Sequence, residues 1–297
     1  MEILKRQRVK LPDGSYMPKL GQGTWLMGED DSSYEREING LRHGIDLGMT
    51  LIDTAEMYAE GKAENIVGNA IRNVDREEVY LVSKVYPKNA CKKHIYSSLE
   101  RSLKLLETNY LDLYLLHWRE DTDLSEMVYC MEDLKQKGKI KRWGVSNFDV
   151  ADMEDLWKVP DGNQCSMNQI LYNLGTRGIE YDLLHWQRER QIPFMAYSPV
   201  GRHIKSHADE GSTCLRGSKK TWDFSSSAAS CLCLKAGRYG CHSKSGGSRA
   251  HRGKCGGKPY HPDGGRSGAA FQILSGANRK NRNGKILKES KSKRVCS

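Results

Sequence analysis

An α/β chain of repeated strand–helix units, closed as a (β/α)8 barrel behind an N-terminal β-hairpin, is predicted by three observations. Short apolar runs alternate with amphipathic helical stretches as far as residue 200. Each run finishes on a side chain able to hydrogen bond or carry charge: Asp53, Lys84, His117, Ser146-Asn147, Gln169 and Tyr197. Their spacings lie between 23 residues (146 to 169) and 33 (84 to 117), the size of one βαβ unit. Lastly, no glycine-rich phosphate turn follows the first strand. Gly21-Gln22-Gly23 lacks a third glycine and runs into Thr24-Trp25, which disfavours an open doubly wound sheet.

The elements follow in order. RVKLPDGSYMPKL gives two extended pieces around Asp13-Gly14, a hairpin before the first parallel strand. Tyr34, Ile38, Leu41 and Ile45 share one helical face, as do Ile95, Leu99, Leu103 and Leu106. A third face, Leu124, Val128, Met131 and Leu134, ends at Gly138, a C-cap glycine. Between them 79–84, 111–117, 140–146 and 193–197 are buried strands. In a closed parallel barrel the C-terminal strand ends converge on one rim, where chemistry is done.

Composition divides the chain in two, residues 1–201 and residues 202–297. The second part holds 21 Lys and Arg against 5 Asp and Glu, a net of +16, which leaves 1–201 at −6 of the total of +10. Only Cys91, Cys130 and Cys165 precede residue 202, and all three are expected to be reduced; the other six of the nine cysteines follow it. No run of 18 apolar residues appears and the first residues show no secretory signal pattern, so a cytoplasmic protein without a membrane span is expected.

Asp53, Tyr58, Lys84 and His117 would be neighbours on the rim. A free phenol, with a pKa of about 10, protonates a weakly basic oxygen poorly at neutral pH. An adjacent ammonium stabilises the phenolate, a carboxylate holds that ammonium charged, and an imidazole orients a carbonyl oxygen beside the phenol. Such a set suits protonation of a C=O oxygen as hydride reaches carbon, and hydride must come from a nicotinamide cofactor.

Seven motifs in this order carry a resemblance: GQGTW (21–25), DTAEMY (53–58), VSK (82–84), LHW (116–118), GKIKRWGVSNF (138–148), NQILYN (168–173) and AYSPVG (196–201). Over residues 1 to about 200 the chain resembles the aldo-keto reductases, in particular the bacterial diketogulonate reductase-like branch. The resemblance implies a TIM barrel, NADPH as cofactor, an aldehyde or ketone substrate and a monomer. It makes Tyr58 the general acid, Lys84 and Asp53 the groups that tune it, and His117 the group that positions substrate. Gly23, Thr24 and Trp25 would line the pocket near the nicotinamide, with Asp53 adjoining. Ser146, Asn147 and Gln169 would hold its carboxamide, Tyr197 would stack on its ring, and Ser198 would complete the cofactor set. Trp25 and Trp118 would wall the substrate. No metal is implied.

Each residue alone has a plainer explanation. Asp53 could cap a helix, Lys84 could snorkel at the surface, and His117 could be a hydrogen-bonded structural imidazole. Ser146-Asn147 could start a helix, Gln169 could satisfy a buried backbone group, and Tyr197 and Trp118 could be core. Their recurrence at successive strand ends favours the rim reading.

After SPVGR the pattern stops. Residues 202–297 contain 11 Leu, Ile, Val and Phe in 96 positions, below the roughly 20% at which a charged chain is expected to stay disordered. The Pro-Lys strand end and phosphate-binding arginine implied by the resemblance are missing, so the barrel is expected to lack its last strand and helices. An out-of-frame translation, a basic appendage for nucleic acid, and a metal site from Cys231, Cys233, Cys241, His242, His251 and Cys255 remain open readings. The abrupt change at one junction favours the first; few aromatics and irregular Cys gaps disfavour the others. The functional expectation is an NADPH-dependent carbonyl reductase weakened by its C-terminal part. The alternative is an inactive derivative whose basic tail binds nucleic acid or another polyanion.

Overall fold

The computed structural model describes residues 7–173, 175–199 and the backbone of a strand at 240–244. A hairpin comes first: β1 (Arg8–Lys10) pairs antiparallel with β2 (Tyr16–Pro18) around Gly14, which has φ +84°. Asp13 accepts from the Ser15 backbone N–H at 2.9 Å and pairs with Arg142, tying the turn to the strand end above it.

Seven strands then run parallel, each bonded to the next: β3 (Leu20–Gly23), β4 (Leu51–Asp53), β5 (Tyr80–Val85), β6 (Leu113–Leu116), β7 (Trp143–Ser146), β8 (Asn168–Leu171) and β9 (Phe194–Tyr197). The helices between them are α1 (Tyr34–Asp46), α2 (Lys62–Ile71), α3 (Ile95–Leu105), α4 (Leu124–Gln136), α5 (Val150–Lys158) and α6 (Leu183–Glu189). Local signals set their ends. Asp123 caps α4 by accepting from the backbone of Ser125 and Glu126, Asp149 forms a capping box with Asp152 at α5, and Gly138 follows α4 at φ +69°.

The eighth position is filled. The sequence expectation of a missing last strand is replaced by β10 (Gly240–Lys244), which pairs in parallel with β3 (Lys244 opposite Gly23) and with β9 (Cys241 opposite Ala196), closing the ring. Two open edges present rows of backbone N–H and C=O groups that an extended segment satisfies whatever its side chains, a demand that apolar counting does not register. The rest of 202–297, including the sequence-predicted disorder, lies outside the described residues.

Alternation along the strands makes two cores. Leu51, Tyr80, Val82, Leu113, Leu115, Met167 and Met195 point into the barrel, where Val9, Leu11 and Met17 of the hairpin join them as a plug at the N-terminal end. The intervening Ile52, Leu81, Tyr114, Val145, Ile170 and Phe194 face outward and pack under the helices. One step further along the inward row come Asp53, Lys84, His117, Ser146, Gln169 and Tyr197. The period of two therefore carries the polar strand ends to the open mouth of the barrel.

Candidate active site

Lys84 and Asp53 are the centre of the mouth. Both side chains are buried, and the Lys84 Nζ donates to Asp53 Oδ2 at 2.8 Å and to the Thr54 carbonyl at 2.7 Å. Its third donation, at 3.3 Å, goes to the hydroxyl of Tyr58, whose ring centroid is 5.0 Å from the same nitrogen. Burial works against the ammonium, but Asp53 and then Tyr58 outweigh it and hold Lys84 above its ordinary range. Lys84 is charged throughout the working pH range.

Tyr58 opens the short helical turn Tyr58–Gly61 beyond β4 and is half-buried. His117 lies across from it at the end of β6, ring centroids 5.6 Å apart and nearly perpendicular. Burial, with the Lys84 charge adding to it, pushes the imidazole down to about 3, so the ring is neutral at physiological pH. Its buried Nδ1 has no protein hydrogen-bond partner. Trp118 packs on His117 at 4.8 Å and on Tyr86 at 5.1 Å, forming an aromatic wall.

The second half of the mouth is a polar chain from β7 to β9. Tyr197 donates to Asn147 Oδ1 at 2.8 Å. Asn147, at φ +63°, donates to the His117 carbonyl and to Ser146 Oγ, both at 3.1 Å. Ser146 Oγ in turn donates to the Gln169 carbonyl at 2.9 Å. Gln169 Nε2 donates to Asp53 Oδ1 at 2.7 Å, so both oxygens of the buried carboxylate are held, one from each half. Gly23 is in register with Asp53, and Thr24 Oγ1 donates to the Asp53 carbonyl at 3.1 Å. Trp25 follows at the margin, about one-third exposed. Ser198, at φ +49°, offers its carbonyl to Asn173 Nδ2 at 3.1 Å.

All the residues expected at the rim from the sequence thus lie around one mouth. Two residues, Glu56 and Tyr86, and one contact of the expected Gln169 were not foreseen. Gln169 reaches Asp53 across the barrel, a contact between residues 116 apart that no local pattern signals. Glu56 is buried inside the quoted DTAEMY and accepts from the Tyr86 N–H at 2.6 Å and from Asn89 Nδ2 at 3.1 Å, joining two rim loops. Tyr86 sits two residues beyond Lys84, on the same inward parity, which could have marked it. Among the described residues no cluster of His, Cys, Asp and Glu could hold a metal, and no helix is long and apolar enough to cross a membrane.

A parallel barrel with ionisable and hydrogen-bonding side chains gathered at its C-terminal mouth defines the class, a (β/α)8 barrel. Within that class the chain belongs to the aldo/keto reductase family, whose model matches residues 19–236. It is 54% identical over 199 residues to the methylglyoxal reductase YeaE of Escherichia coli K12, a match covering 67% of this chain and 70% of that protein. Its fold superposes with TM-score 0.87 on a crystal structure of a Klebsiella pneumoniae aldo/keto reductase in complex with NADP and acetate. That match is 39% identical and covers 93% of this chain and 98% of the other. A second Klebsiella pneumoniae aldo-keto reductase, in complex with NADPH, matches with TM-score 0.88 and 38% identity over 94% and 99% of the two chains.

Proposed function

We propose that this chain is an NADPH-dependent reductase of small aldehydes and ketones, with Tyr58 as the general acid. The observation that carries the reading is the Lys84 Nζ bonded at once to buried Asp53 and to the Tyr58 hydroxyl. The donor set suits the cofactor. Tyr197, bonded to Asn147, adjoins a group of amide and hydroxyl side chains (Asn147, Ser146, Gln169), a set suited to a planar ring bearing a carboxamide. The two Klebsiella structures, in complex with NADP and with NADPH, support this cofactor, and the likeness to a methylglyoxal reductase supports methylglyoxal as a test substrate.

Bound NADPH would supply the hydride. The protein's own groups do the rest. Neutral His117 and the Tyr58 hydroxyl together receive the carbonyl oxygen, and Tyr58 gives its proton to that oxygen as negative charge develops there. The Lys84 ammonium stabilises the phenolate left behind, and Asp53 keeps the ammonium fixed. Trp25, Trp118 and Tyr86 supply apolar walls that keep water from the reacting carbon.

The test is NADPH consumption with methylglyoxal by the full chain and by Tyr58→Phe. Loss of about 10³-fold in kcat with NADPH affinity unchanged is expected. A Tyr58→Phe protein that turns over normally would remove the assignment.

A further inference from the structure

The chain immediately after Tyr58 has an uncommon backbone. Ala59 (φ +46°, ψ +41°), Glu60 (φ +56°, ψ +32°) and Gly61 (φ +95°) are left-handed in succession. Two of these are not glycine, and such residues persist only where surrounding structure over-determines them. Main-chain bonds hold the two ends of the turn: Tyr58 N–H donates to the Ala55 carbonyl at 3.0 Å and Lys62 N–H to the Ala59 and Tyr58 carbonyls, while Glu60 N–H reaches the Met57 carbonyl only at 3.4 Å.

A further constraint, at the apex, comes from α3 on the outside of the barrel. Arg101 Nη2 donates to the Glu60 carbonyl at 2.7 Å, a short charge-assisted bond. One turn along the same helical face, Leu105 abuts Gly61 so closely that a Cβ there would lie 2.8 Å from Leu105 Cδ1 and 3.3 Å from Arg101 Nη2. Beyond the turn, Glu64 in the first turn of α2 accepts from Ser83 Oγ at 2.6 Å, and Ser83 is the neighbour of Lys84. The turn is thus fastened downstream to the strand that carries the lysine, and Arg101 fixes its apex. The phenol–ammonium distance of 3.3 Å is at the long limit of a hydrogen bond, so a small rotation of the turn is enough to break it.

We propose that Arg101 is a positioning residue for Tyr58, holding the left-handed turn 59–61 so that the phenol stays within reach of Lys84. This deepens the reductase reading and rests on it. Removing the guanidinium lets Ala59 and Glu60 relax toward right-handed backbone and draws the hydroxyl away from Nζ.

The experiment compares Arg101→Met, which keeps length without donors, Arg101→Lys, and Tyr58→Phe in the full chain. Arg101→Met is expected to lower kcat about tenfold, with KM for methylglyoxal and the affinity for NADPH within about twofold, and Arg101→Lys to recover part of the loss. In protein carrying carbon-13 tyrosine, the Tyr58 Cζ resonance, identified by its absence in Tyr58→Phe, should titrate at higher pH in Arg101→Met. A purely structural role would lower Tm without moving either readout. Unchanged kcat and an unchanged Tyr58 titration in folded Arg101→Met would overturn the proposal. Full activity in Tyr58→Phe would instead overturn Tyr58 as the general acid, absence of NADPH turnover in the unaltered chain would overturn the reductase reading, and in either case the resonance would still decide whether Arg101 holds Tyr58.

Discussion

A carboxylate and an ammonium with almost no solvent exposure are tolerable only as a pair. Lys84→Met would take the cationic partner from the buried Asp53 carboxylate, and should cost about 3–5 kcal/mol of unfolding free energy in urea melts as well as turnover. Asp53→Asn keeps volume and a hydrogen-bond acceptor, and is expected to lose activity at a smaller cost in stability. Two further groups set opposite pH slopes. His117, held down to about 3 against 6.5 unfolded, binds its proton less readily when folded, so its stabilising share is complete above 6.5 and is lost as pH falls toward 3. Glu64, pushed by burial up to about 7 from 4.5, binds its proton more readily when folded, so its share is present at low pH and is lost as pH rises from 4.5 through 7. Removing that ionisation with Glu64→Gln should therefore raise stability by about 3 kcal/mol at pH 8 and change little at pH 4, as thermal denaturation at the two pH values would show. The rim groups could be read from the chain because each ends an apolar run. Glu64 could not, since a glutamate in a first helical turn resembles an ordinary dipole partner until Ser83 is seen behind it.

At the scale of elements, the hairpin closes the end of the barrel away from the chemistry. Met17, wholly buried between Val9, Leu11 and the inward row, has no role at the mouth. Met17→Ala should destabilise by about 2–5 kcal/mol in urea while leaving kcat within experimental error at temperatures where the protein stays folded. Helix faces were legible because their apolar residues recur at three and four: Ile95, Leu99 and Leu103 are all buried, as the spacing required. Strand limits were less so. The run 140–146 is a strand only from Trp143, with Ile140 making an isolated bridge to Leu111, because Lys139 to Arg142 serve the turn and its ion pairs.

For the whole molecule, closure is the decisive property. The apolar content of residues 202–297 gave no hint of an eighth strand, yet β10 fills the gap through main-chain bonds to both neighbours. Side-chain patterns report burial, and this segment's place in the ring is fixed by backbone pairing, which leaves no such trace. A chain ending at residue 201 would expose the flanks of β3 and β9. It is expected to associate at micromolar concentration and to lose quenching of its tryptophan fluorescence by NADPH, measurable by light scattering and titration.

The division into an inner and an outer core makes the polar mouth sensitive to counting. Deleting one residue within β4 would swing Ile52 to the lumen and turn Asp53 toward α1 and α2, and the same frame error in β5 would exile Lys84. Length changes in the loops below would leave every reactive group where it is. Deletion scanning should therefore be lethal inside the strands and in the segments beyond them that carry Tyr58, His117 and Asn147, and silent in the loops at the opposite end of the barrel.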